Sequence, residues 1–158
     1  MNKLLNKYKF FFLIFFIGAC SYKPIYSGKN YSFSIGEIIF TGDRVINNMI
    51  QSNLSLLKEK DDKSKIVYNL QIETSKTKSI VSNNAKGDPL KFEIIIKTNY
   101  KILKNDKLLL TKQIEKNNIY NNDDDMFKLQ QNEEIIFENI SEKISETIIS
   151  SIINLDDN

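Results

Sequence analysis

A two-layer α+β sandwich, with two helices packed on one face of a four-stranded and largely antiparallel sheet, is the fold this sequence predicts. Three observations carry it. Isoleucine recurs at every fourth residue from Ile136 to Ile152, the mark of a helix with one buried stripe. Apolar and polar residues alternate from Leu90 to Ile102, as in a strand with one dry face. The strand-like runs after residue 66 are separated only by polar turns, which implies an antiparallel meander.

In chain order, residues 1–19 read as an address rather than as part of the fold. Lys3, Lys7 and Lys9 precede an unbroken apolar run from Phe10 to Ile17, followed by the small residues Gly18 and Ala19. That is the layout of a secretory signal peptide. As a helix at about 1.5 Å per residue, Phe10 to Ala19 would cover roughly half of a 30 Å hydrocarbon core, too little for a transmembrane span. The stretch from Cys20 to Tyr31, with Pro24 and Gly28, reads as an irregular tether. One domain is expected over 32–158.

Phe33 to Thr41 reads as a strand closed by Gly42, and Asp43 is placed to cap a helix from Arg44 to about Glu59. Val45, Ile46, Met49, Ile50, Leu54 and Leu57 give that helix its apolar stripe. A strand from Ile66 follows, with Ile66, Tyr68, Leu70 and Ile72 on one face and Asn69, Gln71 and Glu73 on the other. The turn Asn83 to Pro89 leads into the strand Leu90 to Ile102. There Leu90, Phe92, Ile94, Ile96, Tyr100 and Ile102 oppose Lys91, Glu93, Lys97, Asn99 and Lys101. Asn105-Asp106 fits a two-residue hairpin turn before a last strand from Lys107 to about Ile119. The acidic run Asp123 to Asp125 then caps the long C-terminal helix, at the end where the macrodipole favours negative charge. A calcium loop is a poorer reading of that run, because the alternate ligands, central Gly and terminal Glu of an EF-hand are missing.

Composition removes several chemistries. The chain of 158 residues has no His and one Cys. It therefore holds no Ser-His-Asp or Cys-His pair, no His metal ligand and no internal disulfide. Its net charge of +2 depends on the three leader lysines, and without them the remainder sits near neutral. That argues against a nucleic-acid partner. A hydrolase built on Glu133 and Glu134 is disfavoured because adjacent helix positions point about 100° apart. No catalytic residue, metal site or bound cofactor is expected, and the chain is read as a non-enzyme.

Ile17-Gly18-Ala19-Cys20 resembles a bacterial lipobox. The resemblance implies cleavage before Cys20, a thioether-linked diacylglycerol on its sulfur and an acyl chain on the new amino group. Two or more such chains anchor a protein to a membrane stably. Ser21, in place of the Asp that retains enteric lipoproteins in the inner membrane, permits outer-membrane delivery.

The lipobox followed by Cys20-Ser21-Tyr22-Lys23-Pro24-Ile25-Tyr26 resembles the opening Cys-Gly-Phe-x-Pro-Leu-Tyr of the LPS-assembly lipoproteins, the LptE-like family. Cys20, Pro24 and Tyr26 match directly, Tyr22 and Ile25 match by type, and Ser21 replaces Gly. Element order extends the resemblance along the chain, with Tyr120 just ahead of the last helix. The family implies an outer-membrane lipoprotein at the periplasmic face that plugs an LptD-type β-barrel, helps it fold and takes part in inserting lipopolysaccharide into the outer leaflet. A periplasmic lipoprotein adaptor or ligand-binding module of another envelope pathway is the competing expectation. Lys91, Lys97 and Lys101, evenly spaced on one strand face, are candidate contacts for lipid phosphates or acidic barrel residues. Lys76, Lys78 and Lys86, around the long hairpin, form a second candidate group.

Overall fold

The computed structural model describes residues 32–55, 57 and 66–156. The leader, Cys20 and the tether, on which the lipidation reading rests, lie outside the described residues. Four strands, β1 (Phe33–Gly42), β2 (Ile66–Asn83), β3 (Pro89–Lys104) and β4 (Lys107–Asn121), form one sheet in the order β1-β2-β3-β4. Helices α1 (Arg44–Ser55) and α2 (Met126–Asp156) complete the predicted β-α-β-β-β-α order.

The pairing explains the topology. β1 and β2 run parallel, which requires a crossover, and α1 supplies it. β2, β3 and β4 are the predicted antiparallel meander. At the β3–β4 turn Asn105 and Asp106 both take positive φ, 49° and 61°, the geometry of a two-residue type I′ hairpin.

Gly42 turns the chain off the sheet. Its φ is +92°, and a Cβ there would lie 1.8 Å from the Thr74 carbonyl oxygen. That close approach lets the Asp43 N–H donate to the same oxygen at 3.0 Å. Asp43 then caps α1 as predicted, its Oδ1 accepting from the Val45 and Ile46 N–H groups at 3.0 Å each. Asp125 does the same for α2, accepting from Phe127 at 3.0 Å and Lys128 at 3.3 Å.

The core lies between the helices and the inner sheet face. Ile46, Ile50 and Leu54 of α1 are fully buried, as are Leu70, Ile72, Ile96, Tyr100 and Ile102 of the inner sheet face, all at most 2 % exposed. The isoleucines of α2 at four-residue steps, Ile136, Ile140, Ile144, Ile148 and Ile152, are buried as their spacing predicts. Polar atoms within the core are mostly tied. Thr74 Oγ1 donates to Asn47 Oδ1 at 2.7 Å, Asn47 Nδ2 donates to the Thr41 carbonyl at 3.1 Å, and the Tyr100 and Ser151 hydroxyls lie 2.7 Å apart.

Three expectations need correction, and β4 departs from the alternation of its neighbours. α1 ends at Ser55 rather than near Glu59, because the Leu57 N–H bonds the Leu54 carbonyl three residues back and tightens the chain into a turn. Val45 is exposed, since it stands in the first turn at the margin of the stripe. Leu90 is exposed too, at the turn end of β3 beyond the Phe92 and Tyr120 pair. On β4 the alternation fades. Lys112, Lys116 and Asn118 occupy helix-side positions opposite Tyr100, Ile96 and Ile94, and of that row only Ile114 and Tyr120 are buried.

Candidate functional site

The candidate lysines divide between the two faces of the sheet. Register places Lys91, Lys97 and Lys101 on the outer face of β3, as expected, opposite Asn121, Glu115 and Thr111 of β4. They do not converge. Lys91 and Lys101 are ten positions apart, about 33 Å along a strand. Lys97 Nζ lies 3.1 Å from Glu115 Oε2 across the ladder, an exposed pair of small energetic weight. Lys101 borders a shallow open groove of about 290 Å³ with Ile39, Gln71, Glu73, Asn99 and Thr111. Within it Asn99 Nδ2 donates to Glu73 Oε2 at 3.2 Å.

The second group is split. Lys86 stands in the turn at the far end of the β2–β3 hairpin, exposed. Lys76 and Lys78 instead lie on the helix-facing side of β2, opposite Ile96 and Ile94. Lys76 Nζ is 3.3 Å from Asp43 Oδ2 and 4.5 Å from the centre of the Phe137 ring. Lys78 Nζ donates to Glu133 Oε1 at 2.6 Å while sitting 4.2 Å above the Phe92 ring. These two cations are thus committed to carboxylates and aromatic faces of their own fold.

Glu133 is the centre of the tightest polar cluster that sequence reasoning missed. The Tyr120 hydroxyl also donates to Glu133 Oε1 at 2.6 Å, so one carboxylate oxygen joins β2, β4 and α2. Burial works to raise the Glu133 carboxyl, but the Lys78 and Tyr120 hydrogen bonds and the charges of Lys78 and Lys76 outweigh it, and the net shift is downward. Burial and the neighbouring carboxylate push the Tyr120 hydroxyl up, which keeps it a proton donor. Asp43 behaves like Glu133: burial opposes ionisation, and the cap N–H groups together with Lys76 win. Glu134 is exposed and has no part in the cluster. The separation in sequence, 55 residues from Lys78 to Glu133, is why no motif could reveal it.

At the opposite end Asp156, in the last turn of α2, accepts from the Tyr68 hydroxyl at 3.3 Å and from the Ser32 hydroxyl. The end of the last helix is thereby tied to Ser32, just ahead of β1, and to β2. Chemically, both carboxylate clusters fasten elements together. Neither presents a nucleophile beside a free base.

No family model matches the chain, and no characterised protein matches it by sequence. Solved structures do share the fold. One is the rare lipoprotein B of Shewanella oneidensis, at 15% identity and a TM-score of 0.56 over 77% of this chain and 99% of that one. Another is an uncharacterized lipoprotein B of Nitrosomonas europaea, at 17% identity and a TM-score of 0.52 over 81% of this chain and 87% of that one. The four-stranded sheet with two helices on one face is therefore an architecture found in bacterial lipoproteins.

Proposed function

We propose that the chain is an outer-membrane lipoprotein, held at the periplasmic face by lipid on Cys20, that plugs and helps fold an LptD-type β-barrel and takes part in inserting lipopolysaccharide into the outer leaflet. Its role is non-catalytic. The lipobox and the opening that follows it support the anchor and the family resemblance. The likeness to lipoprotein folds supports the same direction.

One observation carries the plug reading over a ligand-binding module. A module would need an enclosed apolar chamber between helices and sheet. Here that space is filled: Ile46, Ile50, Leu54, Ile72, Ile96, Tyr100, Ile144 and Ile148 are all 2 % exposed or less. The apolar faces satisfy each other, and the outer sheet face offers largely polar positions such as Gln71, Glu73, Lys97, Asn99, Lys101 and Gln113. A self-sufficient body with a wet surface suits a water-filled barrel lumen, and a lipid anchor raises its local concentration beside a membrane-embedded partner.

Affinity purification of the full chain from envelopes tests the reading. A large β-barrel should co-purify, and depletion should leave lipopolysaccharide in the periplasm. Intact mass of the membrane-extracted protein should show the acyl additions, which Cys20→Ala removes. A monomeric lipoprotein with no barrel partner, and unaltered lipopolysaccharide after depletion, would overturn it.

A further inference from the structure

We infer that the outer edge of β4 takes an extended segment of an acidic partner protein, in the pattern acidic-x-aliphatic-x-acidic. β4 ends the sheet, and among the described residues no group bonds its outer backbone. A strand paired on one side only is a template for another. The other open edges are interrupted. β1 has a register break between Ile35 and Ile38, and the part of β2 beyond Thr74 has breaks around Ser82. β4 pairs with β3 without interruption from Leu110 to Asn121 and contains no Pro or Gly.

Charge selects the occupant. The hairpin from Pro89 to Asn121 holds seven lysines against Glu93, Asp106 and Glu115. Glu115 is engaged by Lys97, while among the described residues Lys107, Lys112 and Lys116 have no carboxylate within ion-pair distance. Lys112 and Lys116 share the helix-side face and flank Ile114, which is 8 % exposed. Residues directly across a ladder share a face, and opposite charges there attract. An incoming strand therefore meets Lys112 and Lys116 with two acidic side chains four residues apart, and Ile114 with an aliphatic one between them. The pattern reads the same in both strand directions. A second copy paired antiparallel about Ile114 would set Lys112 against Lys116 twice, so inward lysines that repel neutral strands and self-pairing also confer the acidic preference.

The test uses the full chain in micelles of an uncharged detergent and fluorescein-labelled ten-residue peptides centred on Glu-Thr-Ile-Thr-Glu, with Gln and Lys analogues. Anisotropy should show the Glu peptide binding about tenfold tighter than the Gln analogue, two cross-strand ion pairs being at stake. Lys112→Glu with Lys116→Glu should reverse the order in favour of the Lys peptide while circular dichroism stays unchanged. N-methylation of alternate peptide amides should abolish binding. Equal affinity for the three peptides, binding indifferent to N-methylation, or no binding at millimolar peptide would overturn the inference. So would sedimentation showing a dimer lost on the same charge reversal, which would assign the edge to a second copy. Because the assay contains no barrel, its failure would leave the proposed function standing.

Discussion

Replacing Glu133 by Ala should destabilise the domain more than any other exchange of an ionic side chain on α2, and the effect should depend on Tyr120. The carboxylate accepts from Lys78 and Tyr120 at 2.6 Å each, and its side chain is 19 % exposed. Loss of the charged hydrogen bond from Lys78 is partly offset, because the 40 % exposed ammonium can rehydrate, which leaves a cost of about 0.5–1 kcal/mol. The Tyr120 hydroxyl has no such escape. It belongs to a residue 6 % exposed, and stranding it costs a further ~1–2 kcal/mol. The total of about 2 kcal/mol corresponds to a fall in Tm of roughly 8 °C for a domain of about 125 residues.

Thermal melts followed by circular dichroism give the measurement. Tyr120→Phe alone should cost about 1 kcal/mol, and the double variant with Glu133→Ala should cost no more than Glu133→Ala itself, a coupling of about 1 kcal/mol. The pH dependence has a definite sign. Folding lowers the Glu133 carboxyl below its ordinary value of 4.5, so its stabilisation is complete above that value and fades as pH falls through the folded-state value. The Tm gap between the native chain and Glu133→Gln should accordingly be constant from pH 6 to 8, as expected well above both values, and close in acid. Additive single and double variants, or a gap that widens in acid, would refute the assignment of Glu133 as the joint between β2, β4 and α2.

Gly42→Ala should abolish folding or lower Tm by more than about 10 °C, since its Cβ meets a backbone oxygen at 1.8 Å. Gly87→Ala, at nearly the same φ of +93° but with nothing within 4 Å, should cost only about 1 kcal/mol of conformational strain, and paired melts of the two variants separate collision from strain. Thr98→Val should raise Tm by a few degrees. Among the described residues Thr98 Oγ1 is buried without a hydrogen-bond partner, and an isosteric methyl removes a desolvation cost of about 1 kcal/mol. Asp43→Ala should cost about 1–2 kcal/mol as lost N-cap and lost Lys76 pair, and this difference too should shrink in acid because folding lowers the Asp43 carboxyl. Melts at pH 7 and pH 3 check both halves of that statement.

The parts of the fold that were legible in the sequence are those fixed by one physical period. The four-residue spacing of Ile136 to Ile152 and the alternation from Ile94 to Ile102 both report a single buried face, and both faces are buried. Asp43 and Asp125 were legible because a cap is a local event, settled by N–H groups two and three residues away. β4 was legible as a strand but not as an edge. Its helix-side row of Lys112, Ile114, Lys116 and Asn118 weakens the alternation because the strand lies at the margin of what the helices cover. The parallel placement of β1 beside β2 needed the crossover geometry of α1, which no local pattern encodes.

The candidate lysines show why charge spacing along a strand is a poor guide to a binding surface. Alternation assigns Lys91, Lys97 and Lys101 to one face correctly, yet it is silent on what stands across the ladder, and Glu115 there engages the middle one. The same rule places Lys76 and Lys78 on the helix-facing side of β2, opposite Ile96 and Ile94. Distant residues, Asp43 and Glu133, supply their counter-charges. Among the described residues, the candidates left without a carboxylate in ion-pair distance are Lys86, Lys91 and Lys101. An anionic ligand on the outer face would therefore meet Lys91 and Lys101 some 33 Å apart, too far for one phosphate to bridge. Lys112 and Lys116, about 13 Å apart beside a backbone edge that nothing pairs with among the described residues, form the closer-set pair. Local pattern singled out six cations and passed over Lys112 and Lys116, and long-range pairing decided which of them all remain available to a partner.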